Sequence, residues 1–206
     1  MTLPTRGALR GATAALPLLL LLPLLLAAPA SAHHLMGFFH MTPGPVSGLI
    51  SGLLHPILGP DHLLFLLAIG LVGIVRPFRW VLALLGCGLI GNALGLALPG
   101  LTLVEPLVAL SVALTGLVLA RRLPAALLVP AFLLHGYALS GSVIGWEPTP
   151  IAFYLLGLLA SQAALLAVAL TAVRRWGQRA SSGAISLTAG LLMGIGLAFT
   201  WSALVP

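Results

Sequence analysis

His55-Pro56-Ile57-Leu58-Gly59-Pro60-Asp61-His62 puts two histidines and a carboxylate within one short stretch, between apolar flanks running from Val46 to Leu54 and from Leu63 to Val75. Ionisable groups inside a membrane-length apolar segment are costly, so each marks a functional site by default. The segment is about thirty residues long, where about twenty cross a bilayer. Pro56 and Pro60 interrupt it. Each proline lacks an N–H and clashes with the carbonyl four residues back, here those of Gly52 and Pro56. A first helix bent or broken near Gly59-Pro60 is therefore expected. Irregular backbone at membrane depth persists only where protein buries it or where it lines a cavity. Released carbonyls beside ionisable side chains resemble the discontinuous helices of transporters.

The rest of the chain agrees with a membrane setting. Of its 206 residues, 60% are hydrophobic and 6% charged, and the mean hydropathy is +1.18. A soluble domain carries about 25% charged residues, so the expected fold class is an all-α integral membrane protein with the lipid bilayer as its first partner. The pI near 11.5 does not point to nucleic acid. The basic residues are all arginines, gathered in three short loops and a leader, with no aromatic-interleaved patch. The single Cys87 permits no disulfide within a monomer and reads as a small buried hydrophobe.

Residues 1–32 have the three parts of a secretory signal: Arg6 and Arg10, an apolar run from Leu16 to Leu26, and the A-x-A ending Ala30-Ser31-Ala32. A first membrane helix is the rival, but Pro17, Pro23, Pro29 and the A-x-A ending favour cleavage. Cleavage would leave His33-His34 at the new N-terminus, outside the cytoplasm. Residues 33–45 then form an extracytoplasmic segment rich in His33, His34, Met36, His40 and Met41, closed by Pro43-Gly44-Pro45.

Residues 46–206 form the transmembrane domain. Its six apolar segments fall at 46–75, 80–98, 106–120, 124–140, 150–173 and 183–204. Arg76 and Arg79 follow the first, Arg121 and Arg122 the third, and Arg174, Arg175 and Arg179 the fifth; the alternate loops carry Glu105 and Glu147 instead. That alternation obeys the positive-inside rule and sets both mature termini outside a bacterial inner membrane. Trp80, Trp146, Trp176 and Trp201 lie near segment ends, as an aromatic belt does. Gly91-x-x-x-Gly95 and Gly190-x-x-x-Gly194 suit close helix packing, and Asn92, Ser111, Thr115 and Gln162 suit interhelical hydrogen bonds or a polar pathway.

A second histidine stands in the fourth segment. His135 is thirteen residues from Arg122, and His62 is fourteen from Arg76. At about 1.5 Å per residue both lie roughly 20 Å from the inner face, so the two can share a depth. Imidazole suits nickel, copper, cobalt and zinc, and a carboxylate completes a borderline-hard site. Asp61 can equally fix the tautomer of a ligating imidazole. The candidate metal ligands are His55, Asp61, His62 and His135 within the bundle and His33, His34 and His40 outside it. The bland reading is that the intramembrane set merely ties helices together and that the N-terminal histidines are an ordinary solvated loop. Glu105 and Glu147 read as helix-start residues, where negative charge is favoured.

His55-Pro56-x-x-Gly59-x-Asp61-His62 resembles the signature of the HupE/UreJ family of membrane permeases, and His135-Gly136-x-Ala138 resembles that family's second motif. Ala32-His33-His34-x-Met36-Gly37, Ser51-Gly52-Leu53-x-His55-Pro56 and Gly136-Tyr137-Ala138 are similar to its cyanobacterial branch. The resemblance implies six helices after a cleaved leader and passage of nickel or cobalt, linked to proteins that mature metalloenzymes. Three positions depart from the family pattern: Leu66 for a methionine, Leu139 for a second histidine and Gly141 for an acidic residue. The fourth segment thus offers His135 alone.

The residues and the resemblance together predict a non-enzymatic nickel or cobalt permease. No cofactor is permanently bound, the metal is cargo, and oligomers are allowed. The rivals are a non-transporting copper-handling or assembly protein, favoured by the N-terminal histidines and methionines, and an intramembrane zinc enzyme. The latter lacks a His-Glu-x-x-His arrangement.

Overall fold

The structure, a computed structural model, describes residues 42–72 and 78–205. The leader, His33, His34, His40 and the loop bearing Arg76 lie outside the described residues. Those that are described form helices and no strands. In order they are α1 (Pro45–Leu58), α2 (Pro60–Val72), α3 (Phe78–Ala97), α4 (Val104–Leu119), α5 (Leu128–Ser140), α6 (Pro148–Val168), α7 (Arg174–Gly177) and α8 (Ser182–Leu204). A 3₁₀ turn precedes α5 and another follows it, while a π-helical stretch, Ala169–Val173, joins α6 to α7.

The starts follow local chemistry. Pro45 and Pro148 open α1 and α6, where the missing N–H costs nothing. The Ser181 hydroxyl accepts the Ala184 N–H at 3.1 Å and caps α8. Glu105 stands in the first turn of α4, as its charge favours.

Four stretches are long and apolar enough to cross a membrane, Arg79–Ala97, Ala125–Val143, Pro148–Gly177 and Ser182–Leu204, and α1 with α2 makes a fifth if the bent pair is one span. The expected third segment is present as α4, but at 16 residues it reaches only about 24 Å against a hydrocarbon core of about 30 Å. Leu82, Ile90, Leu156, Leu187 and Leu197 are exposed on the outer faces. A helix bundle apolar on its outside as well as its inside is built for lipid.

Close backbone contacts give the direction of each helix pair. Gly48 meets Pro150, Gly52 meets Tyr154 and Gly157 meets Leu53, so α1 and α6 run parallel. Gly88 meets Phe132, Gly91 meets Leu133 and Gly95 meets Ser140, so α3 and α5 also run parallel. Gly116 meets Ala189 whereas Gly196 meets Ala113, so α4 and α8 run antiparallel. Of the two expected glycine pairs, Gly91 and Gly95 do pack a neighbour. Gly190 and Gly194 face open space, and Gly196 makes the approach on α8 instead.

The central core joins α2, α3, α4, α5, α6 and α8 through side chains including Leu64, Phe65, Ile69, Val112, Leu128 and Phe132. Phe65, Ile69, Leu128 and Phe132 lie on the Arg122 side of His62 and His135 along their helices. All four belong to the buried core, and further toward the Arg121 end of the bundle a cavity of about 530 Å³ is lined by Leu71, Leu119, Arg121 and Leu123.

Candidate metal site

The break lies where the prolines place it. Pro56 is carried inside α1, Gly59 alone separates α1 from α2, and the two helices diverge by 70°. The Gly59 N–H still donates to the His55 carbonyl at 3.0 Å, and the Leu63 N–H to the Gly59 carbonyl at 2.9 Å. A Cβ at Gly59 would lie 2.7 Å from Cδ2 of His62, so a side chain here would displace the ring. At the start of α2, Oδ1 of Asp61 accepts the His62 N–H at 2.8 Å. There the carboxylate satisfies a helix-start donor and meets the positive end of the helix dipole.

Three imidazoles meet beside the break, one each from α1, α2 and α5. His55, His62 and His135 are all at most 3% exposed. The rings of His55 and His62 are 5.7 Å apart between centroids, and those of His62 and His135 are 4.9 Å apart. His62 and His135 share a hydrogen bond of 2.8 Å between their Nδ1 atoms. The common depth expected from their spacing to Arg76 and Arg122 is thus realised as contact. Phe65 stacks on His135 at 3.9 Å with the planes 11° apart, which holds that ring on its apolar side.

Each end of this row is tied to a hydroxyl. Nε2 of His135 lies 2.7 Å from Oγ of Ser111 on α4, and that hydroxyl donates to the Val108 carbonyl at 2.6 Å. Nδ1 of His55 lies 2.8 Å from the Tyr154 hydroxyl and 3.1 Å from Oγ of Ser142. Tyr154 donates its own proton to the Leu139 carbonyl at 2.5 Å.

Among the intramembrane candidates, the structure brings His55, His62 and His135 together and turns Oδ1 of Asp61 to the backbone. Among the described residues, no three of His, Cys, Asp and Glu converge as a group able to hold a metal ion. His33, His34 and His40 lie outside the described residues. Tyr154 and Ser142 are the residues that sequence reasoning missed. A tyrosine within an apolar segment was the available signal, since a buried phenol normally finds a partner. Of the polar residues expected to bond between helices, Ser111 does so. Thr115 bonds its own helix through the Ser111 carbonyl, and buried Asn92 has no hydrogen bond from either amide atom.

The chain matches the family described as HupE / UreJ protein over residues 19–199. It is also similar to Protein HupE of Rhizobium leguminosarum bv. viciae, with 35% identity over 190 residues, spanning 82% of this chain and 94% of the relative. No solved structure matches it.

Proposed function

The chain belongs to the HupE/UreJ family, and from that premise we propose that it is a multi-pass permease of the bacterial inner membrane that carries nickel or cobalt inward. The observation that carries this reading is the contact of three buried imidazoles from three helices at a helix break. Neutral imidazole nitrogen is a ligand for late first-row divalent ions. In this reading the intramembrane site is built on His55, Asp61, His62 and His135, and the ion binds there loosely enough to leave again. His33, His34 and His40 capture the ion outside once the leader has been removed.

The directional part of the proposal takes the chain across the membrane six times, and the helix directions support it. For α3 and α5 to run parallel, the chain must return between them, and α4 is the helix that does so. Parallel α1 and α6, parallel α3 and α5 and antiparallel α4 and α8 are the directions that six alternating spans require. Inward release needs the layer of Phe65, Ile69, Leu128 and Phe132 to part. The acceptors are then proteins that load metalloenzymes. The chain is not an enzyme in this reading, and its sequence lacks the His-Glu-x-x-His arrangement of a zinc hydrolase.

Uptake of nickel, cobalt and copper by cells expressing the full chain tests the proposal. Nickel or cobalt accumulation above the vector control, lost in His62→Ala, is expected. Equal accumulation with and without the chain would reject it.

A further inference from the structure

The cavity at the Arg121 end of the bundle has a volume of about 530 Å³, within the roughly 300–1,000 Å³ of sites for small ligands. Its walls come from the ends of α2 and α4, the turn after α4, α7 and the start of α8. Leu71, Val72, Val118 and Leu119 make one side apolar, and Arg121 brings a permanent positive charge. The apolar side is firmly backed, because Leu71 and Ala169 form a buried cluster on which Leu119 and Trp176 pack.

No carboxylate of the chain is placed to balance that charge. There are three in all. Asp61 stands in the first turn of α2, Glu105 in the first turn of α4, and Glu147 precedes α6. Each is a helix length away from the cavity along its own segment. The indole N–H of Trp176, buried beside the apolar wall, has no hydrogen-bond acceptor. Positive charge and donors without acceptors suit an anion and repel a metal cation.

Arg121 also sits where its backbone would rather have glycine. Its φ is 57°, its N–H donates to the Val118 carbonyl at 3.0 Å, and the Arg122 N–H donates to the Leu117 carbonyl at 2.9 Å. Glycine is the usual residue at this helix-ending position, because the left-handed backbone crowds a Cβ. The arginine side chain is thus held at the cavity against the local preference.

We infer that the cavity seats the head group of an anionic phospholipid, with Arg121 on the phosphate and the start of an acyl chain along Leu71, Val72, Val118 and Leu119. The charge selects an anion, and the apolar wall, in a bundle built for lipid, selects a lipid over free phosphate. Basic pockets between membrane helices take acidic head groups in this way. The inference goes beyond the permease reading and does not rest on it.

The test adds dioleoylphosphatidylglycerol, dioleoylphosphatidylcholine or glycerol 3-phosphate to the purified full chain in detergent. It reads the thermal midpoint and counts bound lipid by native mass spectrometry. Phosphatidylglycerol should raise the midpoint by several degrees and stay bound, and the other two should do neither. Arg121→Gly suits the left-handed backbone, so it should fold with an unchanged or higher midpoint without lipid. It should nonetheless bind phosphatidylglycerol about fivefold or more weakly. Arg79→Gln removes an exposed charge on α3, a helix outside the described cavity lining, and should bind like the parent. Parental binding by Arg121→Gly would overturn the inference. So would an equal loss in Arg79→Gln, which would mean diffuse attraction to a basic surface, or a shift produced by glycerol 3-phosphate alone.

Discussion

His62 and His135 are 73 residues apart in the chain, yet their Nδ1 atoms stand 2.8 Å from one another. The contact joins α2 to α5 within the buried row of rings beside the α1–α2 break. His135 is held from both sides, by His62 at Nδ1 and by Oγ of Ser111 at 2.7 Å from Nε2.

Under the proposed function both rings belong to the ion site. His62→Ala and His135→Ala should each weaken cobalt binding by about tenfold or more, read by isothermal titration of the purified proteins. Parental affinity in both variants would reject the site.

Glycine substitutions should sort by face. A Cβ at Gly136 would run into the Gly88 carbonyl, whereas a Cβ at Gly190 meets open space. Overpacking a tight contact costs about 1–3 kcal/mol, and here the obstacle is backbone, which yields little. Gly136→Ala should lower the thermal midpoint in detergent by several degrees, and Gly190→Ala should leave it unchanged or raise it slightly. Equal midpoints for Gly136→Ala and the parent would contradict the described α3–α5 packing.

Gly59→Ala should separate site geometry from stability. The new methyl would lie 2.7 Å from Cδ2 of His62 and 3.4 Å from Oδ1 of Asp61, so the imidazole must shift. Cobalt affinity should fall by about tenfold or more while the thermal midpoint changes less than in Gly136→Ala. Unaltered affinity would show that the His62 ring is not held for binding.

Much of this was legible in the chain itself. Pro56, Pro60 and Gly59 forecast the break because proline acts locally, through its missing N–H and its own ring. The shared depth of His62 and His135 was legible because helical rise is constant and the arginine-bearing loops give a common origin. Which face a residue presents to which neighbour was not legible. Gly190-x-x-x-Gly194 has the same spacing as Gly91-x-x-x-Gly95 but points away from the bundle. Ser111 and Tyr154 acquire their roles only once α4 meets α5 and α6 meets α1. No local pattern specifies those pairings. The short α4 likewise reads as an ordinary apolar segment until its 16 helical residues are compared with the bilayer.

Side-chain labelling can test the proposed six alternating spans. In a Cys87→Ser background, Thr149→Cys precedes the second turn of α6 and Gln178→Cys follows α7, both at exposed positions. A membrane-impermeant maleimide added to spheroplasts should label position 149 directly and position 178 only after permeabilisation. The reverse pattern, or labelling of both from outside, would contradict the orientation.

Metal flux through the site itself is tested most directly in proteoliposomes holding only the purified protein and a trapped metal-sensitive dye. The account predicts entry of cobalt or nickel that saturates with concentration, is absent from empty liposomes, and is lost in His62→Ala although that variant folds. Entry by His62→Ala at the parental rate, or no entry with the parent at any concentration, would contradict it.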